Sequence, residues 1–195
     1  VYTSAASDPF DLLTTTSAVL NAFIAHIDTL TYNGRLAHLL STRSLGGGIA
    51  VLDVLCSTSY QCAFSSSLVT NIVPVPTFSW SVEVVTHEMG HNMGSPHTHK
   101  CVWNGNNTQI DDCGNVYAAN NGNTPEGAAC FNPNSPILPI GTGGTIMSYC
   151  HTIGNVGINF NNGFGTQPGN LIRDRYKNAN CNTGTYQPPL CTTIT

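Results

Sequence analysis

The sequence predicts an α+β domain, and three observations carry that reading. Residues 8–31 space Leu12, Leu13, Val19, Leu20, Phe23, Ile24 and Ile27 near the helical period. Residues 45–55 form a partly alternating, β-branched run led by three glycines, which reads as a strand. Residues 87–97 place two histidines four apart on a helical pattern, then a glycine and a third histidine. Beyond them, residues 104–145 are dense in Asn, Gly and Pro with little periodicity, so the second half is expected to be irregular loops. No internal repeat occurs, and 195 residues make one ordinary domain able to bury a core.

Taken in order, Asp8 is the expected N-cap of the first helix, with Pro9 at its first position and Asn33-Gly34 as the closing turn. Gly46, Gly47 and Gly48 open the strand and let another backbone approach closely. Residues 71–78, with two prolines, read as an extended connection. Ser81 is the expected N-cap of the histidine helix, Glu83 an acid in its first turn, and Val82, Val85, Met89 and Met93 its core-facing stripe. Residues 169–180 read as a final helix ending at Cys181.

Composition narrows the functional classes. Charged residues are only 8% of the chain, against about a quarter in ordinary domains. Six basic residues and a net charge of -4 exclude a phosphate-binding patch, so no nucleic-acid partner is expected. No apolar run approaches the ~18 residues of a membrane span. Eight cysteines without a single C-x-x-C pair point to disulfides in an oxidising compartment and hence to a secreted, extracellular protein. The expected pairs are Cys56–Cys62, Cys181–Cys191 and Cys113–Cys130. A leader and an inhibitory pro-segment are expected to have been removed. Asn106-Asn107-Thr108 is a glycosylation sequon, relevant in a eukaryotic producer.

His87 and His91 lie on one helical face and can bind one metal ion, with Glu88 beside it and not needed as a ligand. Gly94 can end the helix in a left-handed conformation and turn the chain so that His97 supplies a third nitrogen. Three neutral imidazoles leave the fourth position of a tetrahedral zinc site open to water, the arrangement of a catalytic zinc hydrolase. Glu88 is then the general base. His99 is expected to support the site or lie exposed, while His26, His38 and His151 default to ordinary structure.

His87-Glu88-x-x-His91-x-x-Gly94-x-x-His97 together with Thr145-Ile146-Met147-Ser148-Tyr149 resembles the zinc signature and methionine turn of the metzincin metalloproteases. The spelling His-Glu-Met-Gly-His-Asn-Met-Gly and the glycine-led strand look like the reprolysin (adamalysin) branch. The resemblance runs over residues 8–181. It implies a metzincin-type fold: a twisted, mostly parallel sheet with an antiparallel edge strand, a zinc-binding helix, and a loop-rich, disulfide-bonded lower part. Residues 1–195 would be one catalytic domain, with 1–94 above the cleft and 95–195 below it. It also implies that Met147 floors the zinc site.

Thr98 stands where reprolysins usually carry Asp, Tyr149 is a feature of astacins and serralysins, and the loop from His97 to Met147 is long. These departures suggest a bacterial secreted relative. Only 45 residues precede the edge strand, fewer than the family uses, so the N-terminal part is either reduced or missing. By the same resemblance, the Tyr149 phenol could approach zinc and then hydrogen-bond the developing oxyanion.

Proteins or peptides are therefore the expected substrates. An extended chain could add as a strand along Gly47, Gly48, Ile49 and Ala50. A pocket near Met147 and residues 137–144 would read one side chain. Calcium is a second candidate cofactor, with Asp111, Asp112 and Glu126 as oxygen ligands. Two other classes compete: an inactive, zinc-containing binding or adhesion module, which would be expected to lose Glu88, and a structural zinc protein, which would need a fourth protein ligand.

Overall fold

The computed structural model describes residues 5–30, 34–71 and 73–181. Its regular elements are helix α1 (Thr16–Ile27), strands β1 (Ala37–Leu40), β2 (Gly48–Ala50) and β3 (Cys62–Ser65), and helices α2 (Trp80–Asn92), α3 (Cys113–Asn120) and α4 (Thr166–Lys177). Short 3-10 turns lie at Ala5–Ser7, Cys150–Thr152 and Phe160–Asn162. Among the described residues, no helix is long and apolar enough to cross a membrane.

Helix α1 starts later than its periodicity suggests. Its N-cap is Thr15, whose hydroxyl accepts the Ala18 N–H at 3.2 Å. Asp8 instead accepts the Phe10 N–H at 2.8 Å, a local turn that drops Phe10 into the core. Phe10, Val19, Leu20, Phe23 and Ile24 then pack on Cys62 and Phe64 of β3. Asn33 of the expected closing turn lies outside the described residues.

The sheet is small and mixed, with order β1-β3-β2. β3 pairs in parallel with β1 and antiparallel with β2, so the expected mostly parallel sheet is one ladder of each kind. The strand expected over 45–55 shrinks to three residues. Gly46 and Gly47 have φ of +89° and +135°, outside strand geometry, and Asp53 at φ 59° turns the chain away. β1 and β3 were not legible. Every residue of β3 is buried, so it lacks the alternation that marks a half-buried strand.

Helix α2 lies between two cores, the α1–sheet cluster and a second cluster of Cys113, Ile146, Met147, Cys150, Ile158 and Phe160. That position displaces the expected stripe. Met89 is 44% exposed, whereas Ser81, Glu83, Val84, His87, Glu88, Gly90 and Asn92 are buried. The N-cap position belongs to Ser79, and the Ser81 hydroxyl instead bonds both the N–H and the C=O of Val69 at 2.9 Å. Asn92 donates to the carbonyls of Val51 at 2.9 Å and Cys62 at 3.0 Å, stitching the helix to the end of β2 and to β3.

The lower half is less irregular than its composition implies, because α3 sits inside it. Cys113–Cys150 fixes this short helix to the segment after Met147. α4 begins three residues earlier than expected. The expected cysteine pairs are all replaced: the bridges are Cys56–Cys181, Cys101–Cys130 and Cys113–Cys150. Cys62 is a buried free thiol of β3, pushed up to about 11 by burial and then by Asp28. Cys191 lies outside the described residues. Short loops in sequence did not pair, because strand and helix placement carries their sulfurs to different layers.

Candidate metal centre

Helix α2 ends in a Schellman turn. The Ser95 N–H reaches the Gly90 carbonyl at 3.0 Å, and the Gly94 N–H reaches that of His91 at 2.9 Å. Gly94 takes φ +94°, which a residue with a Cβ resists. The chain reverses there, and His97 returns beneath the helix to face His87 and His91. The Nε2 atoms of His91 and His97 stand 3.0 Å apart, and one ligand nitrogen from each of the three rings lies within 4.8 Å of the others.

The Nδ1 atoms decide the tautomers. His87 Nδ1 lies 2.6 Å from the Ile146 carbonyl and His91 Nδ1 lies 2.7 Å from the Ser95 carbonyl. A carbonyl oxygen only accepts, so both Nδ1 atoms carry the proton. His97 Nδ1 faces a Glu126 carboxylate oxygen at 2.6 Å. All three Nε2 atoms therefore present lone pairs to one another at close range. That arrangement is repulsive without a cation and suits a divalent ion, so these residues fit a metal.

Burial keeps the rings neutral. His91 is lowered to about 4 by desolvation and then by His97, and His87 falls well below its ordinary value by desolvation, then by His91 and His97. His97 is lowered chiefly by desolvation. Neutral imidazoles are the form that binds metal.

Glu88 is 4% exposed, and its Oε2 has no hydrogen-bond partner. Burial raises its carboxyl to about 8. It is not in the three-histidine cluster, and it lines both cavities that meet here. The larger, about 290 Å³, runs along Gly48, Ile49 and Ala50 past His91 and His97 to Glu126. The smaller, about 140 Å³, lies between Trp80, Val84 and His87 on α2 and Tyr149, His151 and Thr152 opposite. No residue of 137–144 lines either cavity; the smaller is walled by α2 and the segment after Met147.

Met147 is fully buried beneath α2. A Cβ at Gly90 would come 2.5 Å from its sulfur and 2.8 Å from Phe164, which is why a glycine serves at that helix position. The Tyr149 ring sits 4.7 Å from His97 and 5.8 Å from His87, and it lines both cavities. Burial holds its phenol above its ordinary value, so the hydroxyl keeps its proton.

Two positions differ from expectation, Gly47 and Glu83. Gly47 precedes β2, and its N–H and C=O are both bonded to Ser66, so it lines only the smaller cavity, while Gly48, Ile49 and Ala50 run along the larger. Glu83 is not a charged first-turn acid. It is 1% exposed, and burial, then Glu88, raises it to about 9, so it is neutral where a dipole-stabilising anion was expected. Of the two alternatives for His99, support of the site fits: it is buried and stacked on His97, with centroids 4.7 Å apart and planes at 13°.

The calcium set does not assemble. Asp112 is fully buried and accepts from Gln109, Ile137 and Asn115, Asp111 accepts the Cys113 N–H, and Glu126 lies against His97, His99 and Lys100. Asp111 with Cys113 and Cys150 also groups an acid with two sulfurs, but these offer no thiolate because they are bonded to each other.

Residues missed by spacing are Trp80, Tyr117 and His151 in the smaller cavity, and Glu126 as a partner of His97. Only the fold brings them to the histidines. A family model described as Metallo-peptidase family M12 matches residues 3–159. No curated protein matches the chain. That match covers well over half of the 195 residues, and the chain belongs to metallopeptidase family M12, zinc-dependent peptidases acting on proteins or peptides.

Proposed function

We propose that this chain is a secreted endopeptidase of the metzincin type, with His87, His91 and His97 holding one zinc ion and Glu88 acting as general base. The observation that carries the reading is the convergence of three deprotonated Nε2 atoms on one point, with a buried carboxylate oxygen free of partners alongside, where two cavities meet. Residues 1–195 act as a single catalytic domain divided at Gly94. Three bridges among the described cysteines support an oxidising, extracellular setting.

Bound zinc supplies a Lewis acid that polarises the scissile carbonyl and lowers the pKa of a water toward about 7. The chain's own residues do the rest. Gly48, Ile49 and Ala50 offer the edge of β2 not paired to β3, on which an extended substrate lies as an added strand. A cation held by the three histidines would favour the ionised form of the adjacent Glu88, which takes a proton from the attacking water and returns it to the leaving amine nitrogen. Tyr149 donates its hydroxyl hydrogen to the carbonyl oxygen as negative charge develops there. The cavity beside Trp80 and His151 receives the side chain next to the cut. Met147 holds the Ile146 carbonyl in place under His87.

The test is Glu88→Gln in the zinc-loaded chain. Cleavage of a denatured protein by the parent should vanish with chelator, and turnover of the variant should fall about 10³-fold with its zinc content unchanged. A variant as fast as the parent would reject Glu88 as base. A parent that holds zinc yet cleaves nothing would instead make the chain a zinc-containing binding module.

A further inference from the structure

The three imidazoles give their Nδ1 protons to unequal partners. His87 and His91 are fixed by α2 itself and donate to main-chain carbonyls. His97 stands off the helix, beyond Pro96, and donates to a carboxylate: Glu126, 29 residues further along the chain. That carboxylate is gripped from two more sides, by His99 Nε2 at 3.2 Å and by Lys100 Nζ at 3.2 Å.

Its loop is also tied down. The Gly127 N–H donates to Asn115 Oδ1 at 2.9 Å, and Asn115 Nδ2 donates to the His99 carbonyl at 3.0 Å. Asn115 is fully buried, and Cys101–Cys130 brackets the same loop. A Cβ at Gly127 would strike the His99 carbonyl, so the backbone can come this close only at a glycine. Thr98, next to His97 in sequence, gives its hydroxyl to the Met147 carbonyl and does not serve the ring.

We propose that Glu126 is a positioning residue of the metal centre, holding the one ligand that α2 does not fix so that His97 Nε2 stays aimed at His87 and His91. An anionic acceptor on Nδ1 fixes the ring's tautomer and orientation and makes Nε2 a stronger donor to a metal. His99 and Lys100 hold the carboxylate in turn, so a partly exposed loop acid is kept facing His97. The inference rests on the three-histidine metal reading and is independent of whether the chain cleaves peptides.

Zinc affinity of the full chain, measured by competition with a chromogenic chelator, tests it without reference to turnover. Glu126→Ala should weaken zinc binding about 10–100-fold, the range for loss of such partners. Glu126→Gln, which keeps shape and an acceptor but no charge, should fall between parent and alanine. In a His97→Ala background, Glu126→Ala should then cost less than about twofold, because its route to the metal is already gone. Affinity of both single variants within about twofold of the parent would overturn the proposal. So would an equal loss in the two backgrounds, which would mean the loop acts by general stability. Should the alanine variant not fold, the glutamine variant and its His97→Ala double mutant carry the same comparison.

Discussion

Gly48→Ala isolates the geometry of the proposed general base from everything else in the site. A Cβ built on Gly48 falls 2.6 Å from Glu88 Cγ and 2.7 Å from its Cδ. Ordinary contact begins at 3.4 Å, so the carboxylate arm must retreat by about 0.8 Å. The strand cannot recede because β2 is paired to β3 across its full length, so the Glu88 arm is pushed into the cavities it lines and away from its own position. Misplacing a catalytic group by ~1 Å costs ~10² in rate, about 2.7 kcal/mol of barrier. The backbone itself loses nothing: alanine suits a strand better than glycine, which offsets much of the contact cost. No imidazole is touched, so zinc stoichiometry should remain at the parent's value.

The assay is steady-state cleavage of a quenched peptide, with zinc content and a urea melt measured on the same preparation. The expected result is kcat down about 100-fold with zinc and melting midpoint close to the parent. Turnover within about threefold of the parent would refute the reasoning, since Glu88 would then act from a displaced position. Zinc lost along with activity would mean the strand supports the ligands and not the base.

Three further outcomes follow. Asn92→Ala orphans the Val51 carbonyl while the Cys62 carbonyl keeps the Val51 N–H, so at about 1–2 kcal/mol for an orphaned group the urea midpoint should report a loss of about 1–2 kcal/mol with an unchanged slope. A loss under about 1 kcal/mol would show that the helix–sheet stitch is dispensable. Tyr149→Phe keeps the ring against His97 and His99 and removes only the hydroxyl, so kcat should drop about 10²-fold at constant zinc affinity. Full turnover would remove Tyr149 from the mechanism.

The metal-free chain should be most stable near pH 6–7. Below about 6.5 the unfolded state binds protons that the buried histidines refuse, with His91 and His38 both lowered to about 4, so stability falls toward pH 4. Above that range Glu83 and Glu88, raised to about 9 and about 8, hold protons that the unfolded chain has released, so stability falls again toward pH 9. A melting temperature still rising from pH 7 to 9 would contradict both carboxyl assignments.

Local chemistry was legible where it depends on spacing along one element. His87 and His91 face the same way because four residues make about one helical turn, and Gly94 permits the left-handed bend that returns His97. The match of residues 3–159 to metallopeptidase family M12 supports a metallopeptidase, the coarser part of what this motif suggested. Boundaries were less legible. Asp8 and Ser81 are good capping types, yet each spends its oxygen on another task, Asp8 on a turn and Ser81 on Val69.

The cysteine pairs failed for a related reason. Proximity in sequence says little once α3 and β3 have carried Cys113 and Cys62 to opposite cores.

By itself, then, the sequence placed the three-histidine turn and the adjacent acid and pointed to a metallopeptidase, because those are written in residue spacings of a single helix and its stop. Tertiary structure alone decided which face of α2 is buried, that Glu83 is neutral, and that Gly48 touches Glu88. It also brought Glu126 across 29 residues to His97. Contacts between elements depend on how two cores close around the helix, and no periodicity within one segment encodes that closure.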